Sequence, residues 1–367
     1  MIKMSEIMLD EIAPPFRTYI QHLCSDLRLG LCKARVDVER ISSIVDIPSS
    51  QFRLVLPYCS KRLRWEIIFD QSAPWFAPDF RFDDDSFFDS VDVFTIEKQL
   101  PSLDNWNQKD PKALTQVISE LVHLYRNHQI GKLRADEGSR AYFEYSALLG
   151  HEGIQETDIE VWVGDHSAEF IIKLNIDTSQ LPEIYNGGID ENPCVDSALL
   201  LVRYPNSAHP ELILSPSLTR LFGHINLPPM HRNGVLIDYV PSVTQLINNK
   251  IQLILSNEKF KRELLSQLIA KYNGAVLEHD DSNASFLFQI NDFHWILQIE
   301  MGQDFPEKPP IMTLMSVYYQ TKGKPTSKVL PPCPYQTLPK FEAYIKQQFD
   351  IFKAECTGSA SLNNFEN

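Results

Sequence analysis

The sequence has few basic residues for its length and no long apolar run. Among 367 residues, 34 Lys and Arg stand against 48 Asp and Glu, so the formal net charge is −14. A general nucleic-acid binder needs clustered Lys and Arg to neutralise phosphates, so this charge argues against that class. No stretch approaches the ~20 apolar residues of a membrane-spanning helix. Acidic residues interrupt the apolar N-terminus, which does not fit a signal peptide, and we expect a soluble intracellular protein.

Cysteine is scarce and has no paired spacing. The six cysteines form no CxxC pattern and are Cys24, Cys32, Cys59, Cys194, Cys333 and Cys356. In a chain this long, scattered cysteines favour reduced thiols in the cytosol or nucleus over a disulfide framework. The length exceeds one ordinary hydrophobic core and predicts two or three domains.

The motifs of common hydrolases and nucleotide-binding enzymes are missing. The ten histidines include no His-x-His pair, so the zinc motif of JAMM-type deubiquitinases is absent, as are HExxH, GxSxG, P-loop and GxGxxG patterns. The acidic run Asp83, Asp84 and Asp85 has no further ligands placed around it. We interpret this run as a solvated loop rather than a metal site, and predict neither a cofactor nor a bound metal.

Helical and alternating patterns predict a first unit over residues 1–131. Helical spacing in residues 4–27 predicts a short helix and a second helix that starts near Pro15. Strands predicted from period-two alternation, with short links that favour an antiparallel meander, are residues 41–47, 52–58, 63–70 and 80–82. A helix follows, with Asp110 as its cap and Pro111 in its first turn.

The same order of elements returns in a predicted middle unit, residues 132–256. It begins with a connecting helix over residues 132–149, weakened at Gly138, and ends with a helix over 243–255. Residues 184–196 are predicted as a loop. The strands predicted between the two helices are residues 159–163, 168–176, 197–204 and 212–214.

A third unit is predicted over residues 257–356. It starts with a helix over 258–272, followed by strands and a lysine- and proline-rich loop over 320–336. The predicted strands are residues 275–278, 285–290, 293–299 and 311–317, with a tight hairpin turn at Asn291 and Asp292. A helix over 338–354 closes the unit, and the polar tail 357–367 is predicted to be disordered.

Two segments share a strand–proline turn–strand motif. Residues 63–82 read LRWEIIFDQSAPWFAPDFRF and residues 293–319 read FHWILQIEMGQDFPEKPPIMTLMSVYY. Both segments resemble the centre of the ubiquitin-conjugating fold, although the first has Ala77-Pro78 where the general pattern has a proline pair. We therefore predict an α+β protein of tandem ubiquitin-conjugating-enzyme-variant (UEV/RWD-like) domains, each an antiparallel meander sheet packed with helices. Within these runs and nearby, Trp65, Trp106 and Trp295 are predicted core anchors.

Cys333 is the one residue that favours an enzyme. It lies 23 residues beyond Pro310, where a conjugating enzyme carries its nucleophile, but no His-Pro-Asn segment precedes it. The missing Asn removes the expected oxyanion donor, and Pro332 and Pro334 remove backbone donors on both sides. No basic neighbour is identifiable that would lower its pKa. We interpret Cys333 as a loop cysteine, and the protein as noncatalytic.

The chain as a whole resembles the BRE family (brain and reproductive organ-expressed protein). The segments that carry the resemblance, beyond the two proline turns, are residues 106–129, LRADEGSRAYFEYSALL at 133–149 and VLIDYVPSVTQLINNKIQ at 235–252. The resemblance implies a scaffold that joins a JAMM-type zinc deubiquitinase, its inactive partner of the Abraxas family and a von Willebrand A-like subunit, with polyubiquitin as a further candidate ligand. It implies action on non-degradative polyubiquitin in the cytoplasm, as BRISC, and a role in DNA-damage repair in the nucleus.

Two other functions stay open, a divergent conjugating enzyme that uses Cys333 and a cofactor of a true conjugating enzyme. For the scaffold, we place a candidate groove for a partner peptide, expected from the von Willebrand A-like subunit, in the third unit. Its residues are Phe305, Pro306, Tyr318, Tyr319 and Tyr335. Aromatic and proline surface of this kind suits extended peptides. The alternative is that these side chains only pack the loop against the sheet.

Overall fold

The computed structural model describes residues 12–40, 49–88, 98–182, 197–207, 209–231, 234–302, 304–333 and 338–363 of the chain. Antiparallel sheets pack against helices, which confirms the predicted α+β class. The chain divides into two compact units, Met1–Asn248 and Asn249–Asn367. Among the described residues, no helix combines the length and apolarity required to cross a bilayer.

The first sheet of the first unit is a four-stranded antiparallel meander. A small ribbon, β1 (Arg28–Leu29) with β2 (Ala34–Arg35), precedes it. The strands of the sheet, in spatial order, are β3 (Asp37–Arg40), β4 (Gln51–Tyr58), β5 (Lys61–Ile68) and β6 (Asp79–Arg81). Along β5, Leu63, Trp65 and Ile67 are buried whereas Arg62 and Arg64 are exposed, so one face of the sheet meets the core.

Helices cover the buried face of this sheet. They are α1 (Arg17–Asp26), which follows a 3₁₀ turn at Pro14–Phe16, α2 (Pro101–Asp104) and α3 (Ala113–Ala135). Buried side chains at helical spacing on α3 join the core cluster of the sheet; they are Leu114, Val117, Ile118, Leu121 and Tyr125. Just before α3, the backbone N–H of Lys112 donates to the carboxylate of Asp110 at 2.9 Å. The helix predicted to start near Pro15 is confirmed.

A second antiparallel meander completes the first unit. Its strands are β7 (Ile159–Gly164), β8 (Ser167–Lys173), β9 (Ala198–Tyr204) and β10 (Glu211–Leu214), with α4 (Arg140–Leu149) before them and α5 (Pro216–Phe222) after them. Ile171, Leu199 and Leu201 of this sheet belong to the same buried cluster as the first sheet. The two sheets of the first unit therefore share a continuous core.

The connecting helix predicted over residues 132–149 is broken in the structure. α3 continues to Ala135 and α4 begins at Arg140. The side chain of Ser139 caps α4, because its Oγ accepts a hydrogen bond from the backbone N–H of Tyr142 at 3.1 Å. The predicted strand 41–47 and the predicted loop 184–196 lie outside the described residues.

One long helix, α6 (Leu236–Lys271), replaces the two helices predicted over 243–255 and 258–272. The prediction of a break was wrong because no glycine or proline separates the two segments, and Ser256 donates its hydroxyl hydrogen to the Leu253 carbonyl at 2.8 Å within the helix. The early start has its own cause. The backbone N–H of Leu236 donates to the buried carboxylate of Glu144 at 2.7 Å, and a carboxylate is favourable at a helix N-terminus.

The second unit holds a five-stranded antiparallel sheet. Its strands, in spatial order, are β11 (Val276–His279), β12 (Asn283–Ile290), β13 (Phe293–Glu300), β14 (Ile311–Thr321) and β15 (Lys324–Val329). The predicted two-residue turn at Asn291 and Asp292 is confirmed by the pairing of Ile290 with Phe293. The prediction of a loop over residues 320–336 was wrong for residues 324–329, which form β15. Lys322 and Gly323 both have positive φ, at 54° and 76°, which suits a tight hairpin turn.

The last helix, α7 (Leu338–Asn363), packs on this sheet. Its buried stripe comprises Phe341, Ile345, Phe349, Phe352 and Cys356. Because Cys356 extends the stripe by one further turn, the helix passes its predicted end at residue 354. Residues 357–363, for which disorder was predicted, are helical, and 364–367 lie outside the described residues.

Candidate functional site

The thiol of Cys333 lies in the core of the second unit. Its side chain is 5% exposed and belongs to the buried cluster that contains Phe341 and Phe349. Burial raises the pKa of this thiol to about 11. Nearby, Tyr344 donates its hydroxyl hydrogen to the carbonyl of Pro331 at 2.5 Å, which anchors the preceding segment. A protonated and enclosed thiol is a poor nucleophile, so the surroundings of Cys333 do not favour ubiquitin transfer.

Three other thiols share this trend. Burial raises the pKa of Cys24 to about 11, with the charge of Asp37 as a second cause. Burial also raises the pKa of Cys59 and of Cys356. Among the described residues, no group of three His, Cys, Asp or Glu side chains comes together in a way that would hold a metal ion. The surroundings of these thiols therefore favour a role in packing over a role in chemistry.

The acidic run Asp83–Asp85 is tied to α3 through its central residue. The carboxylate of Asp84 accepts hydrogen bonds from the Tyr125 hydroxyl at 3.3 Å and from the Gln129 amide at 3.2 Å. Lys132 lies 3.7 Å from the same carboxylate. Burial acts to raise the pKa of Asp84, but the hydrogen bond from Ser86 and the charge of Lys132 outweigh it, and the net pKa is lowered. The run therefore includes a structural anchor, not only a solvated loop.

The first proline turn presents two aromatic side chains to solvent. Trp75 and Phe76, between β5 and β6, are 53% and 64% exposed, in contrast to the fully buried Trp65. The turn has a defined conformation, since the Asp70 carboxylate accepts the Ser72 backbone N–H at 2.8 Å. Adjacent exposed aromatic side chains are common in protein-binding surfaces.

The candidate peptide-groove residues do not lie together. Phe305 is 1% exposed and stacks on Phe260 of α6 with 5.6 Å between ring centroids, and the half-buried Pro306 follows it. These two residues lie in the connection before β14, whereas Tyr318 and Tyr319 lie near the far end of that strand. The strand spans roughly 23 Å between Ile311 and Tyr318, at about 3.3 Å per residue.

The two tyrosines of the candidate groove face different surroundings. Tyr318 is 66% exposed, with its ring 5.3 Å from that of His294. Tyr319 is half-buried and stacks on Phe293 at 5.5 Å. The fifth residue, Tyr335, lies outside the described residues. Of the described four, only Tyr318 offers a largely free aromatic surface, so one short groove does not contain them all.

A different groove in the second unit lies between the end of α6, the β12–β13 hairpin and the first half of α7. It has a volume of about 330 Å³, and its aromatic and apolar lining includes Tyr272, Phe288, Trp295, Phe341, Ile345 and Phe349. Sequence reasoning missed it because each of these residues belongs to a core-facing stripe of its own element. The signal in the sequence that could have revealed the groove was the aromatic content of the core-facing residues at the end of α6, in the β12–β13 hairpin and in α7.

Polar contacts join the two sheets of the first unit at the β4–β5 turn. The Tyr58 hydroxyl donates to the Val161 carbonyl at 2.8 Å, and the Cys59 backbone N–H donates to the Glu160 carboxylate at 3.0 Å. Gly30 adopts φ +66°, and a Cβ there would lie 2.9 Å from the Glu160 carboxylate, so only glycine fits without displacement. Burial raises the pKa of Glu160. This junction fixes the tip of the β4–β5 hairpin on β7.

The structure thus defines an α+β protein of antiparallel sheets, with a buried Cys333 and an aromatic groove in its second unit. Comparison with known proteins adds the family: the model of brain and reproductive organ-expressed protein (BRE) matches residues 10–320. The chain belongs to the BRE family. It is 30% identical over 355 residues to "BRISC and BRCA1-A complex member 2" of Branchiostoma floridae. The alignment covers 89% of this chain and 90% of the relative. The protein of the same description from Danio rerio is 29% identical over 354 residues, 90% of each chain.

Proposed function

We propose that this chain is a noncatalytic scaffold subunit of a deubiquitinase complex. The observation that carries the proposal is membership of the BRE family over residues 10–320. The relatives from Branchiostoma floridae and Danio rerio bear the description of a member of the BRISC and BRCA1-A complexes and align over about nine tenths of the chain. This description supports a role as a subunit of an assembly.

The proposed partners are a JAMM-type zinc deubiquitinase, an Abraxas-family pseudoenzyme and a von Willebrand A-like subunit. In this proposal the assembly trims non-degradative polyubiquitin in the cytoplasm and serves DNA repair in the nucleus, and the scaffold contacts polyubiquitin. We also propose that the sheet-and-helix blocks are variants of the ubiquitin-conjugating fold. Their antiparallel sheets, each covered by helices, are compatible with that origin.

The noncatalytic part of the proposal is supported by the surroundings of Cys333. Its thiol is buried and its pKa is raised to about 11, whereas a nucleophilic cysteine is exposed and has a lowered pKa. The chemistry of the complex is therefore assigned to the zinc subunit. This chain supplies surfaces that hold the subunits together.

Reconstitution tests the proposal. The full chain is co-expressed with the three proposed subunits, and native mass spectrometry measures which of them assemble with it. We expect one complex that contains all four chains and cleaves a polyubiquitin substrate faster than the zinc subunit does without this chain. Failure of the chain to join the other subunits would overturn the scaffold assignment. A ubiquitin thioester on the chain, lost in Cys333→Ala, would replace it with the conjugating-enzyme alternative.

A further inference from the structure

The aromatic groove of the second unit is a preformed cavity. Trp295 packs with ring centroids 4.8 Å from Phe288 and 4.8 Å from Phe349, and Tyr272 meets Phe288 edge-on at 5.2 Å. Trp295 and Phe288 are also paired across β12 and β13, so the backbone fixes their separation. Rings held from several sides lose little freedom when a ligand enters, which lowers the entropic cost of binding.

The groove is open to solvent and has room for an apolar ligand. Ile290, which lines it, is 41% exposed, whereas Trp295 on the inner wall is 3% exposed. The volume of about 330 Å³ lies near the lower end of the range of roughly 300–1,000 Å³ for ligand pockets. Water in a cavity of this lining finds few hydrogen-bond partners, so apolar side chains displace it favourably.

Two polar groups at the groove lack partners among the described residues. The indole nitrogen of Trp295 is buried and has no hydrogen-bond acceptor there. Lys346, on the rim, is exposed and has no acidic group within salt-bridge distance in the described part of the chain. The other rim cation, Lys271, is already paired with Glu342, which also accepts the Tyr272 hydroxyl hydrogen at 2.7 Å. Within the part of the chain that the structure describes, the groove therefore offers one unpaired donor and one unpaired positive charge, in a chain of net charge −14.

The sheet topology limits how a partner can bind. β12 and β13 are interior strands in the order β11-β12-β13-β14-β15, so their backbone groups are already paired with neighbouring strands. An added strand is excluded at this place, and side chains must supply the contacts. The apolar wall of α7 repeats every four residues at Phe341, Ile345 and Phe349. These three side chains are 2%, 9% and 3% exposed because they also pack on the sheet, so they form the floor of the groove. A partner helix reaches them with side chains one turn apart that insert into the groove.

We propose that this groove docks an amphipathic helical segment of a partner protein, with two apolar side chains one turn apart and an acidic residue that reaches Lys346. The apolar side chains fill the space beside Trp295 and Phe288, and the carboxylate pairs with the free cation. This site is distinct from the candidate groove at Phe305 and Tyr318. The inference rests on the geometry of the second unit and not on the proposed function.

A peptide selection on the full chain tests the inference. The probe is a library of helical peptides displayed on phage and randomised at surface positions, selected on the wild-type chain in buffer of low ionic strength. We expect enrichment of peptides with two apolar residues four positions apart and a nearby Asp or Glu. Absence of an enriched motif, or a motif of basic residues, would overturn the proposal.

Matched variants locate the binding. Lys346→Glu, an exposed change that preserves the fold, should weaken the selected peptide roughly fivefold to tenfold. Lys340→Glu, on the same helix but away from the groove, should change affinity by less than about twofold. Equal effects of the two changes would contradict a specific pair at Lys346.

A spectroscopic readout distinguishes a peptide site from a site for small amphiphiles. The indole N–H signal of Trp295, assigned through Trp295→Phe, should shift on addition of the selected peptide. Decanoate, which joins an apolar chain to a carboxylate, is the competing probe. If the peptide shifts the Trp295 signal and decanoate at equal concentration does not reverse that shift, the result supports the helical partner. A shift with decanoate and none with peptide would overturn it in favour of a fatty-acid-like ligand.

Discussion

The ammonium group of Lys61 lies 2.7 Å from the carboxylate of Glu169 and joins the two sheets of the first unit. Glu169 is 6% exposed and also accepts a hydrogen bond from Ser60, while Arg203 approaches it at 3.9 Å. Three groups thus converge on one buried carboxylate at the tip of the β4–β5 hairpin. The junction depends on this carboxylate more than on any one of its partners.

Replacement of Glu169 should therefore destabilise the first unit. We expect Glu169→Ala to lower the free energy of unfolding by about 1–3 kcal/mol, because charge-assisted hydrogen bonds are lost while Lys61 and Arg203 keep access to water. Urea denaturation measures the change. The control is Glu211→Ala, which removes an exposed partner of Arg203 and should cost less than about 1 kcal/mol. Equal costs would show that the junction is not a structural anchor.

Glu160 should make the stability of the first unit depend on pH. Burial raises its folded pKa above its ordinary value of 4.5, so the folded state binds the proton more tightly than the unfolded state. The stabilisation from the protonated carboxyl is complete below pH 4.5 and is lost as pH rises through the higher folded pKa. We expect the stability of Glu160→Gln relative to wild type to increase as pH rises from about 4 to 7.

Denaturation at a series of pH values checks this sign. Glu152→Gln, which changes an exposed carboxylate in the connection between α4 and β7, controls for the loss of one negative charge. A relative stability of Glu160→Gln that falls with rising pH would mean that the buried carboxylate is favourable when ionised. The hydrogen bond from Cys59 would then outweigh the cost of burial.

Much of the fold could be predicted from periodic patterns within single elements. The alternation of Leu63, Trp65 and Ile67 and the helical stripe that includes Leu114 and Val117 correspond to buried faces in the structure. Both patterns are local, and burial of one face is enough to produce them. β15 was not predicted because it is an edge strand of lysine, proline and polar residues. Such a strand has no apolar face, so its sequence shows no alternation of apolar and polar residues.

The candidate site was harder to predict because it depends on distances between elements. Phe305 and Tyr318 are close in sequence, but Phe305 lies in the connection that precedes β14, whereas Tyr318 lies near the far end of that strand. Trp295 and Phe341 are 46 positions apart and line the same groove. A periodic pattern identifies which face of an element is buried, but it does not say where two buried faces leave a gap between them.

Truncation of two tryptophans ten residues apart should change stability by very different amounts. Trp65 is fully buried and packs edge-on against Phe82 at 5.1 Å, so Trp65→Ala should cost about 3–5 kcal/mol of unfolding free energy. Trp75 is 53% exposed, and Trp75→Ala should change stability by less than about 0.5 kcal/mol. Thermal denaturation of the two variants makes the comparison. A large loss in Trp75→Ala would show that the exposed turn packs in the folded chain.

The continuity of α6 has a direct test at Ser256. Proline in a helix interior removes a hydrogen bond and clashes with the preceding turn, so Ser256→Pro should cost about 3 kcal/mol or more. In a loop between two helices the same change would be nearly neutral. Ser256→Ala, which loses only the bond to the Leu253 carbonyl, is the matched control and should be neutral or slightly stabilising. Circular dichroism during urea denaturation measures both.

Loss of the Cys333 thiol should leave the activity of the reconstituted complex unchanged. The thiol is buried and its pKa is raised to about 11, so at neutral pH it is protonated and shielded from a ubiquitin thioester. Cys333→Ala is preferable to Cys333→Ser, because a serine hydroxyl in the same apolar cluster would add a desolvation cost of about 1–3 kcal/mol. Polyubiquitin cleavage by complexes that carry wild-type chain or Cys333→Ala should proceed at the same rate.

A second experiment tests directly for a ubiquitin thioester on the chain. Incubation of the chain with activating enzyme, ATP and ubiquitin, followed by a non-reducing gel, should show no adduct. A thioester band that vanishes in Cys333→Ala would require that the segment around Pro331 opens to expose the thiol, and would make the chain an enzyme.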